Sequence, residues 1–317
     1  MKTRMKWVLL AIVAAMLWLM RSWWVGDIVL PGEELRIRDY AIWQGTPVRS
    51  MASAVRSQNV GRIARLARRN PEWLDYQEPR FGCTLLIWAV GTNRYDAAEA
   101  LLVAGANPDL RLTEHGETAL FVAAGFYWGD TAYYLSPAIV NLLLKFNADP
   151  DIPYISHSQT SSIVLEMGMT PLMVAVKRTI GAIEKVKALV EGGADINAKT
   201  AISGETAASR SLLFLTNTSA YEFAQVAHYL IVEHKADITG TILLTGYGAP
   251  PRELLPVERL RYWYPPLGTP EHQLKLEIIE EFERQSVDYW GTVIPESAKD
   301  VAKRRFPDTW EEYLEQY

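Results

Sequence analysis

The stretch GMTPLMVAVKRTIGAIEKVKALVEGGADINAKT, residues 168–200, predicts two short helices followed by a tight turn. Thr170 fits the N-cap of the first helix, because its side-chain oxygen can accept a hydrogen bond from a backbone N–H group of the first turn; Pro171 fits the first helical position. Ala175 is small where two helices must approach closely. Gly193 allows the left-handed backbone conformation that commonly ends a helix. The stretch therefore predicts a helix pair that hands the chain on to a further unit.

The same features recur along the chain, and a recurring unit decides the fold class before anything else. A Gly-x-Thr signature precedes each helix pair, at Gly82, Gly116, Gly168 and Gly204. A Gly-Ala-Asp turn, or a close variant of it, follows each pair, at residues 105–107, 147–149, 193–195 and 235–237. A weaker copy covers residues 48–76 and ends its second helix at Asn70-Pro71.

These copies resemble the ankyrin repeat, a turn plus two antiparallel helices in about 33 residues. The resemblance covers residues 48–240 and implies an all-α solenoid of about five repeats, some with lengthened helices or loops. The chain departs from the family's Thr-Pro-Leu-His motif, whose His is replaced by Ile87, Phe121, Met173 and Ser209. We therefore expect packing, in place of a side-chain hydrogen bond, to hold these four turns.

Residues 241–317 leave the repeat pattern and are predicted to form a helical cap, because a repeat stack must shield its last open face. Residues 272–286 have the spacing of an amphipathic helix. Its apolar side comprises Leu276, Ile279 and Phe282. A short terminal helix is predicted to follow, with Asp308 as its N-cap.

Extra residues in two copies are where we expect function, since insertions in repeat proteins often map to a binding face. From the Thr of the signature to the turn there are 29 residues in the copies that start at Thr118 and Thr206, against 21 and 23 in the other two. The first insertion is rich in aromatic residues. We call the segment that links one helix pair to the next a finger. A long finger occupies residues 151–167. Tyr and Trp are common anchors of protein interfaces. The predicted partner-binding residues are Phe126, Tyr127, Trp128, Tyr133, Tyr134, Tyr154 and His157. The alternative is that longer helices bury these aromatic residues in a larger core.

Residues 1–25 have the pattern of a membrane segment. Basic residues precede an uncharged apolar run, residues 7–20, which is short for a bilayer core of about 30 Å. A helix continued to Val25 would be long enough if Arg21 snorkels to the interface. We favour an uncleaved signal anchor, because the residues after the run are too large for signal cleavage. A cleaved signal peptide and a buried N-terminal helix are the alternatives.

The basic side of this segment predicts the orientation of the chain. Basic residues before an anchor remain inside, so the rest of the chain would cross the membrane. In a bacterium this makes it a single-pass inner-membrane protein with its repeats in the periplasm, after a linker at residues 26–47.

Positive charge is concentrated near the N-terminus. Residues 1–70 contain 12 Lys and Arg against 4 Asp and Glu, whereas the remaining chain contains 20 against 33. Arg62, Arg65 and Arg69 fall on one face of a predicted helix, while Ile63 and Leu66 point elsewhere. We predict that the three arginines contact anionic head groups at a membrane surface. A solvated face and an acidic protein partner are the alternatives.

The sequence offers no set of residues suited to catalysis. The five His residues lack metal-ligand spacing, and there is no G-x-S-x-G motif. The single cysteine, Cys83, lies in the turn before a predicted helix, so no intramolecular disulfide can form. The pair Glu280-Glu281 is expected on a solvated helix face. We therefore expect a protein that is not an enzyme, with no metal, no cofactor and no nucleic-acid partner.

A repeat stack of this kind offers an extended binding surface, so its predicted work is to hold another protein. The chain resembles two groups of exported bacterial ankyrin proteins. One group comprises immunity proteins encoded beside type VI secretion lipase effectors, which bind the toxin in the periplasm. The other is linked to catalase and oxidative-stress defence. We place the immunity role first, because one cognate toxin calls for an irregular surface; the catalase-linked scaffold is the alternative, followed by a lipid-binding envelope protein.

Overall fold

The computed structural model describes nearly all of the repeat region and the cap. The described residues are 34–125, 128, 136–156, 158–159, 164–176, 181–213, 215, 220–244 and 252–316. The chain divides into two compact units. The N-terminal unit comprises residues 1–113 and 128–131, and the C-terminal unit comprises residues 114–127 and 132–317.

The described residues of the N-terminal unit contain two helix pairs. Its elements are a 3₁₀ turn at Tyr40–Trp43, α1 at Arg49–Arg56, α2 at Val60–Arg69, a 3₁₀ turn at Pro71–Trp73, α3 at Leu85–Gly91 and α4 at Tyr95–Val103. Each helix packs on its pair mate, and between the pairs α1 contacts α3 while α2 contacts α4. The predicted weak first copy is therefore a helix pair, and α2 ends at Arg69, directly before Asn70-Pro71.

Part of the predicted linker belongs to the core of this unit. The rings of Trp43 and Trp88 are buried with their centroids 6.1 Å apart, and Tyr40 also contacts Trp88. Burial of large aromatic rings stabilises a core strongly. The folded region thus begins by Tyr40, earlier than the residue 48 that the repeat pattern predicts.

The C-terminal unit stacks three helix pairs. Its repeat helices are α5 at Ala119–Gly125, α6 at Pro137–Lys145, α7 at Pro171–Ala175, α8 at Ala182–Glu191, α9 at Ala207–Leu212 and α10 at Ala220–His228, which runs on as a π-helical segment at Tyr229–Glu233. First helices contact first helices (α5, α7, α9), and second helices contact second helices (α6, α8, α10). This arrangement is the stack that the repeats predict.

Two short antiparallel hairpins correct the expectation of an all-α fold. The first pairs β1, Ser158–Gln159, with β2, Val164–Leu165, inside the long finger. The second pairs β3, Ile242–Leu244, with β4, Arg252–Leu254, after the last turn. A finger doubles back on itself, so its two arms lie side by side and satisfy backbone N–H and C=O groups by pairing.

The cap is helical, as predicted. It contains α11 at Pro256–Arg259, a 3₁₀ turn at Leu260–Tyr262, α12 at Pro270–Arg284, α13 at Glu296–Arg305 and α14 at Trp310–Glu315. Helix α12 packs on α10 with Ile279 and Phe282 buried, and α13 packs on α14. Thr309, not Asp308, takes the N-cap position of α14, so that prediction is one residue off.

One carboxylate at the joint between repeats and cap contradicts the expected solvated face. Glu281 is buried, and its Oε2 accepts hydrogen bonds from Lys235 Nζ and Arg284 Nη1, both at 2.8 Å. Glu280 is exposed, as expected. Helix α12 turns Glu281 inward because α10 and the π-helical segment cover that side of it.

The Thr of each signature caps the first helix of its pair. Its Oγ1 accepts from the backbone N–H three residues on: Thr84 from Ile87 (3.1 Å), Thr118 from Phe121 (3.1 Å), Thr170 from Met173 (3.5 Å) and Thr206 from Ser209 (3.1 Å). Ser209 departs from the expectation that packing alone replaces the family's His. Its Oγ accepts from the backbone N–H of Thr206 at 2.9 Å, which completes a reciprocal cap.

The recurring turn ends each second helix with a left-handed residue. These residues are Gly105 (φ +100°), Asn147 (+60°), Gly193 (+93°) and Lys235 (+55°). A left-handed residue directly after a helix lets the chain leave it while the last carbonyl groups stay hydrogen-bonded. This confirms the role expected for Gly193.

A second pattern in the turns explains their acidic and amide residues. In the C-terminal unit, side-chain oxygens accept backbone N–H groups in sequence: Asp149 from Asp151 (2.9 Å), Asp151 from Asp195 (2.8 Å), Asp195 from Asn197 (2.9 Å), Asn197 from Asp237 (2.8 Å) and Asp237 from Thr239 (2.9 Å). In the N-terminal unit, Asp75 accepts from Asn107 (2.8 Å) and Asn107 from Asp109 (2.9 Å). We call these bonds the turn ladder. Each side chain either closes its own turn or reaches the next copy.

The extra residues take two forms. Residues 126–136 separate α5 from α6, whereas residues 92–94 suffice between α3 and α4, which confirms the insertion in the Thr118 copy. In the Thr206 copy the excess partly lengthens the second helix, because α10 and its π-helical segment together span residues 220–233.

The predicted membrane anchor, residues 1–25, lies outside the described residues. From residue 34 onward, none of the helices in the described part of the chain is both long and apolar enough to cross a bilayer.

Candidate functional site

The fingers of the C-terminal unit are joined side by side through their backbones. The bonds run from Ile155 N to His115 O (3.1 Å), Tyr154 N to Met169 O (2.8 Å), Gly168 N to Tyr154 O (2.9 Å), Ala201 N to Met167 O (2.8 Å) and Leu243 N to Ser203 O (2.9 Å). Because these main-chain groups bond to each other, the fingers form a continuous frame that holds its side chains in fixed positions.

Three large apolar side chains on this frame are exposed. Ile155 is 44% exposed, Met167 49% and Ile202 57%. We call these three residues the apolar row. Adjacent segments of the frame carry them, since Tyr154 bonds to Gly168 and Met167 bonds to Ala201. Because exposed apolar patches mark interaction sites, this part of the frame is the candidate binding surface.

A buried carboxylate fixes the middle of the apolar row. Glu166 accepts hydrogen bonds from the backbone N–H groups of Ile202 and Ser203, the latter at 2.6 Å, and from the Ser203 hydroxyl at 2.8 Å. The Ser203 hydroxyl also lies 2.8 Å from Thr200 Oγ1. Glu166 thus ties the segment that carries Ile202 to the segment that carries Met167.

Two signature glycines make room for the next finger. A Cβ atom on Gly116 would lie 2.6 Å from Ile155 Cγ1, and one on Gly168 would lie 3.0 Å from the backbone N of Ala201. Both glycines also have positive φ angles, +79° and +91°. The Gly of the signature therefore serves the packing of neighbouring fingers as well as the local turn.

Tyr154 is in the core, which corrects the expectation of an exposed interface residue. Its side chain is 1% exposed and stacks on Phe121, with ring centroids 5.5 Å apart and the planes 16° from parallel. The ring of His115 lies on it at 5.9 Å. Phe121 stands where the family has its His, so an aromatic stack fills this position. In the long finger, the side chain of Tyr154 is therefore buried, whereas that of the next residue, Ile155, is exposed.

Trp128 is half-buried and packs within the N-terminal unit. Its backbone N–H donates to Gly91 O at 3.3 Å, and its carbonyl accepts from Arg38 Nη1 at 2.7 Å. A Cβ atom on Gly91 would lie 2.3 Å from the indole ring. Trp128 therefore has internal contacts on at least one side of its ring. The other predicted partner-binding residues, Phe126, Tyr127, Tyr133, Tyr134 and His157, lie outside the described residues.

The three arginines of the predicted membrane face are exposed on α2. Arg62, Arg65 and Arg69 all lie on its solvent side, while Ile63 and Ala67 are buried beneath the helix. The spacing in the sequence is sufficient to place them together.

The cysteine environment does not suit nucleophilic catalysis. Cys83 is fully buried, and burial together with the neighbouring Glu78 carboxylate raises the pKa of its thiol well above the ordinary value. A reactive cysteine needs the opposite, a lowered thiol pKa and access to solvent. Over the described ranges, His, Cys, Asp and Glu side chains form no group of three or more that could hold a metal ion.

Comparison with known proteins agrees with the helix-pair geometry. Residues 86–200 match the family model for ankyrin repeats, in three copies. Residues 86–200 thus carry three ankyrin repeats. A putative ankyrin repeat protein of fowlpox virus (strain NVSL), FPV014, is 39% identical over 115 residues, which is 36% of this chain and 22% of that protein. The match thus spans about a fifth of the viral protein's length.

The fold is also similar to a solved structure, the ankyrin repeat domain of Bcl-3, described as a unique member of the IkappaB protein family. The TM-score is 0.51 at 21% identity, over 75% of this chain and 86% of that chain. At this identity the likeness concerns the fold alone. Ankyrin repeats generally form scaffolds for protein interaction and not catalytic sites.

Sequence reasoning missed the apolar row and Glu166. A signal for the row was present, because a large apolar residue stands just before the signature glycine in two copies: Met167 before Gly168, and Ile202 two residues before Gly204. The burial of Glu166 had no such signal, since it depends on which backbone N–H groups the neighbouring finger points toward it.

Proposed function

We propose that this ankyrin protein is a non-catalytic scaffold that binds a secreted toxin and neutralises it, with a lipase-type effector as the first class of partner. The observation that carries the proposal is the apolar row, Ile155, Met167 and Ile202, on a hydrogen-bonded frame. A rigid surface loses little conformational entropy on binding, so its exposed apolar side chains can contribute fully to affinity.

The choice of a toxin as partner rests on resemblance and on the insertions. The chain resembles exported immunity proteins, and its copies differ in length between their helices. An irregular surface suits a single cognate partner, because other proteins fit it poorly.

The proposed location is the periplasm, with residues 1–25 as a single inner-membrane anchor. Support comes from the basic residues that precede the apolar run. A reporter enzyme that is active only outside the cytoplasm, fused after Tyr317, tests this. Activity supports the location, and an inactive but expressed fusion contradicts it.

The test of function uses the full chain. Proteins captured from secreted and envelope extract would be identified, and each purified candidate would then be assayed for activity with and without the chain. Neutralisation predicts one tight partner whose activity falls on mixing. A partner that binds and stays active, such as a catalase, would contradict neutralisation and leave a plain scaffold.

The surface is tested with charge-introducing variants. We expect Met167→Glu together with Ile202→Glu to weaken binding at least about 30-fold, because truncation or burial of charge at an interface hot spot costs about 2 kcal/mol or more. Val103→Glu is the matched control, since Val103 is 70% exposed and lies in the N-terminal unit. Equal affinity of both variants would exclude the apolar row as the interface.

A further inference from the structure

Helix α2 presents a continuous basic surface. Four guanidinium groups, those of Arg62, Arg65, Arg68 and Arg69, are exposed on a helix of 10 residues that contains no acidic residue. At about 100° per residue, the four fall within an arc of about 120°. The buried residues Ile63 and Ala67 lie on the opposite side. We call this arc of four residues the arginine arc.

The arginine arc has no charge partner in the described part of the chain. Among the residues that the structure describes, none of these four guanidinium groups forms an ion pair, whereas Glu280, Glu281 and Arg284 on the cap helix α12 do. Glu72, just after the helix, is exposed and is not paired with the arc either. Four like charges on two turns repel one another, so the arrangement destabilises an isolated helix slightly. A bound polyanion would remove that repulsion.

We propose that the arginine arc docks on an anionic lipid surface. The residue composition of the arginine arc favours a lipid surface over an acidic protein as the partner. Apart from the arginines, the arc contains only Gly61, with no aromatic or large apolar side chain. Protein interfaces depend on such anchors, whereas phosphate head groups are bound by guanidinium groups alone.

The position of the arc in the chain supports the same occupant. The basic excess of residues 1–70, 12 Lys and Arg against 4 Asp and Glu, places the arc in the part of the chain that follows the predicted anchor. A basic residue that reaches an anionic membrane surface contributes about fivefold to the docking equilibrium. The proposal is independent of the apolar row and of any protein partner.

Gly61 provides a reporter position inside the arc. It is exposed, and a Cβ atom there would meet only Asn59 Oδ1, at 3.9 Å. Cys83 is fully buried, so a fluorophore on Gly61→Cys in the full chain labels one site. Docking should protect this fluorophore from a neutral aqueous quencher.

The experiment compares vesicles of phosphatidylcholine with vesicles that also contain phosphatidylglycerol. We expect protection with the anionic vesicles, little with the neutral ones, and loss of protection as salt rises, because salt screens surface charge. Replacing Arg62, Arg65 and Arg69 by Gln should reduce the docking equilibrium by roughly a hundredfold.

A matched variant separates a specific face from net charge. Lys303→Gln, Arg304→Gln and Arg305→Gln on α13 remove the same three charges from another exposed basic helix and should leave protection intact. Three results would each overturn the proposal: no protection on anionic vesicles, equal protection on neutral vesicles, or equal loss in both triple variants.

Discussion

Gly168 and Gly193 separate two roles of glycine at the residue scale. Their φ angles are nearly equal, +91° and +93°. A Cβ atom on Gly168 would meet Ala201 N at 3.0 Å and Lys199 O at 3.1 Å, whereas one on Gly193 would meet nothing within 4 Å. The two positions therefore share the conformational demand and differ in the approach of a neighbouring finger.

We expect Gly193→Ala to lower the free energy of unfolding by about 1–2 kcal/mol, the cost of a left-handed alanine. Gly168→Ala should cost a further 1–3 kcal/mol, roughly, because backbone atoms of the next finger must also shift. Urea denaturation of both variants measures the difference. Equal losses would mean that the fingers separate without cost.

Lys185 is a buried cation in the C-terminal unit. Its Nζ donates to the carbonyl of Ala124 at 3.2 Å, at the end of α5, and burial lowers its pKa to about 8. Because the folded pKa lies below the ordinary value of 10.5, the unfolded chain binds the proton more tightly between these two pH values. The free energy of unfolding should therefore rise as pH rises through that window.

We expect Lys185→Met to be more stable than the natural chain at pH 7 by about 1–2 kcal/mol, since it removes a buried charge and loses one hydrogen bond. The gain should vanish toward pH 10.5. The control is Lys187→Met, an exposed lysine on the same helix. Denaturation at several pH values measures the free energy of unfolding of each variant. A gain in stability that does not depend on pH would show that the charge of Lys185 is not its cause.

Side chains whose role depends on residues nearby in the sequence were predictable, and those whose role depends on distant residues were not. The cap at Thr170 and the left-handed Gly193 were predicted, because they depend on residues within four positions. Tyr154 and Glu281 were predicted to be exposed, but both are buried. Their burial depends on Phe121 and Lys235, which are more than 30 positions away.

At the scale of elements, the joint between α10 and α12 is held by polar side chains. His228 Nε2 lies 2.6 Å from Glu277 Oε2, and Lys235 Nζ lies 2.8 Å from Glu281 Oε2. Burial acts to raise the pKa of Glu281, but hydrogen bonds from Lys235, Arg284 and Gln285 bring that pKa below its ordinary value. The joint is therefore sensitive to acid.

Because the folded pKa of Glu281 is depressed, its stabilising contribution is present above the ordinary value of 4.5 and is lost as pH falls through the folded pKa. We expect Glu281→Gln to lower the free energy of unfolding by about 1–3 kcal/mol at pH 7. The difference from the natural chain should shrink as pH falls below 4.5. Glu280→Gln, on the exposed neighbour, is the control; a loss of equal size in both variants, or one that persists in acid, would contradict this account.

The elements themselves were predictable wherever they repeat. Helix pairs, turns and the insertion after α5 follow from copies that can be compared along the chain. The two hairpins and α13 were missed, because each occurs in a segment without a second copy and is set by what it packs against. The candidate site shares this limit, since the apolar row belongs to fingers that vary in length.

For the whole molecule, the division into two compact units predicts how it unfolds. Repeat proteins are stabilised by each repeat and its immediate neighbours, so damage to one region need not spread. Trp88→Ala empties a buried site between Tyr40 and Trp43 and should cost the N-terminal unit about 3–5 kcal/mol.

We expect hydrogen exchange of the Trp88→Ala variant to lose protection over residues 34–113 and to keep it over residues 182–213 and 220–244. Mass spectrometry of peptides from each unit measures both regions. Trp290→Ala, in an exposed position of the cap, serves as the control and should leave the N-terminal unit protected. Equal loss in both regions would show that the two units unfold together.

The turn ladder has a consequence for how such a protein diversifies. Some of its bonds join one turn directly to the next, as between Asp151 and Asp195 or between Asn197 and Asp237. The chain between the helices of a pair lies outside these bonds, so its length does not alter the spacing of the copies. Evolution can therefore vary these loops in length while the ladder persists, provided that packing contacts such as those of Trp128 with Gly91 and Arg38 are kept.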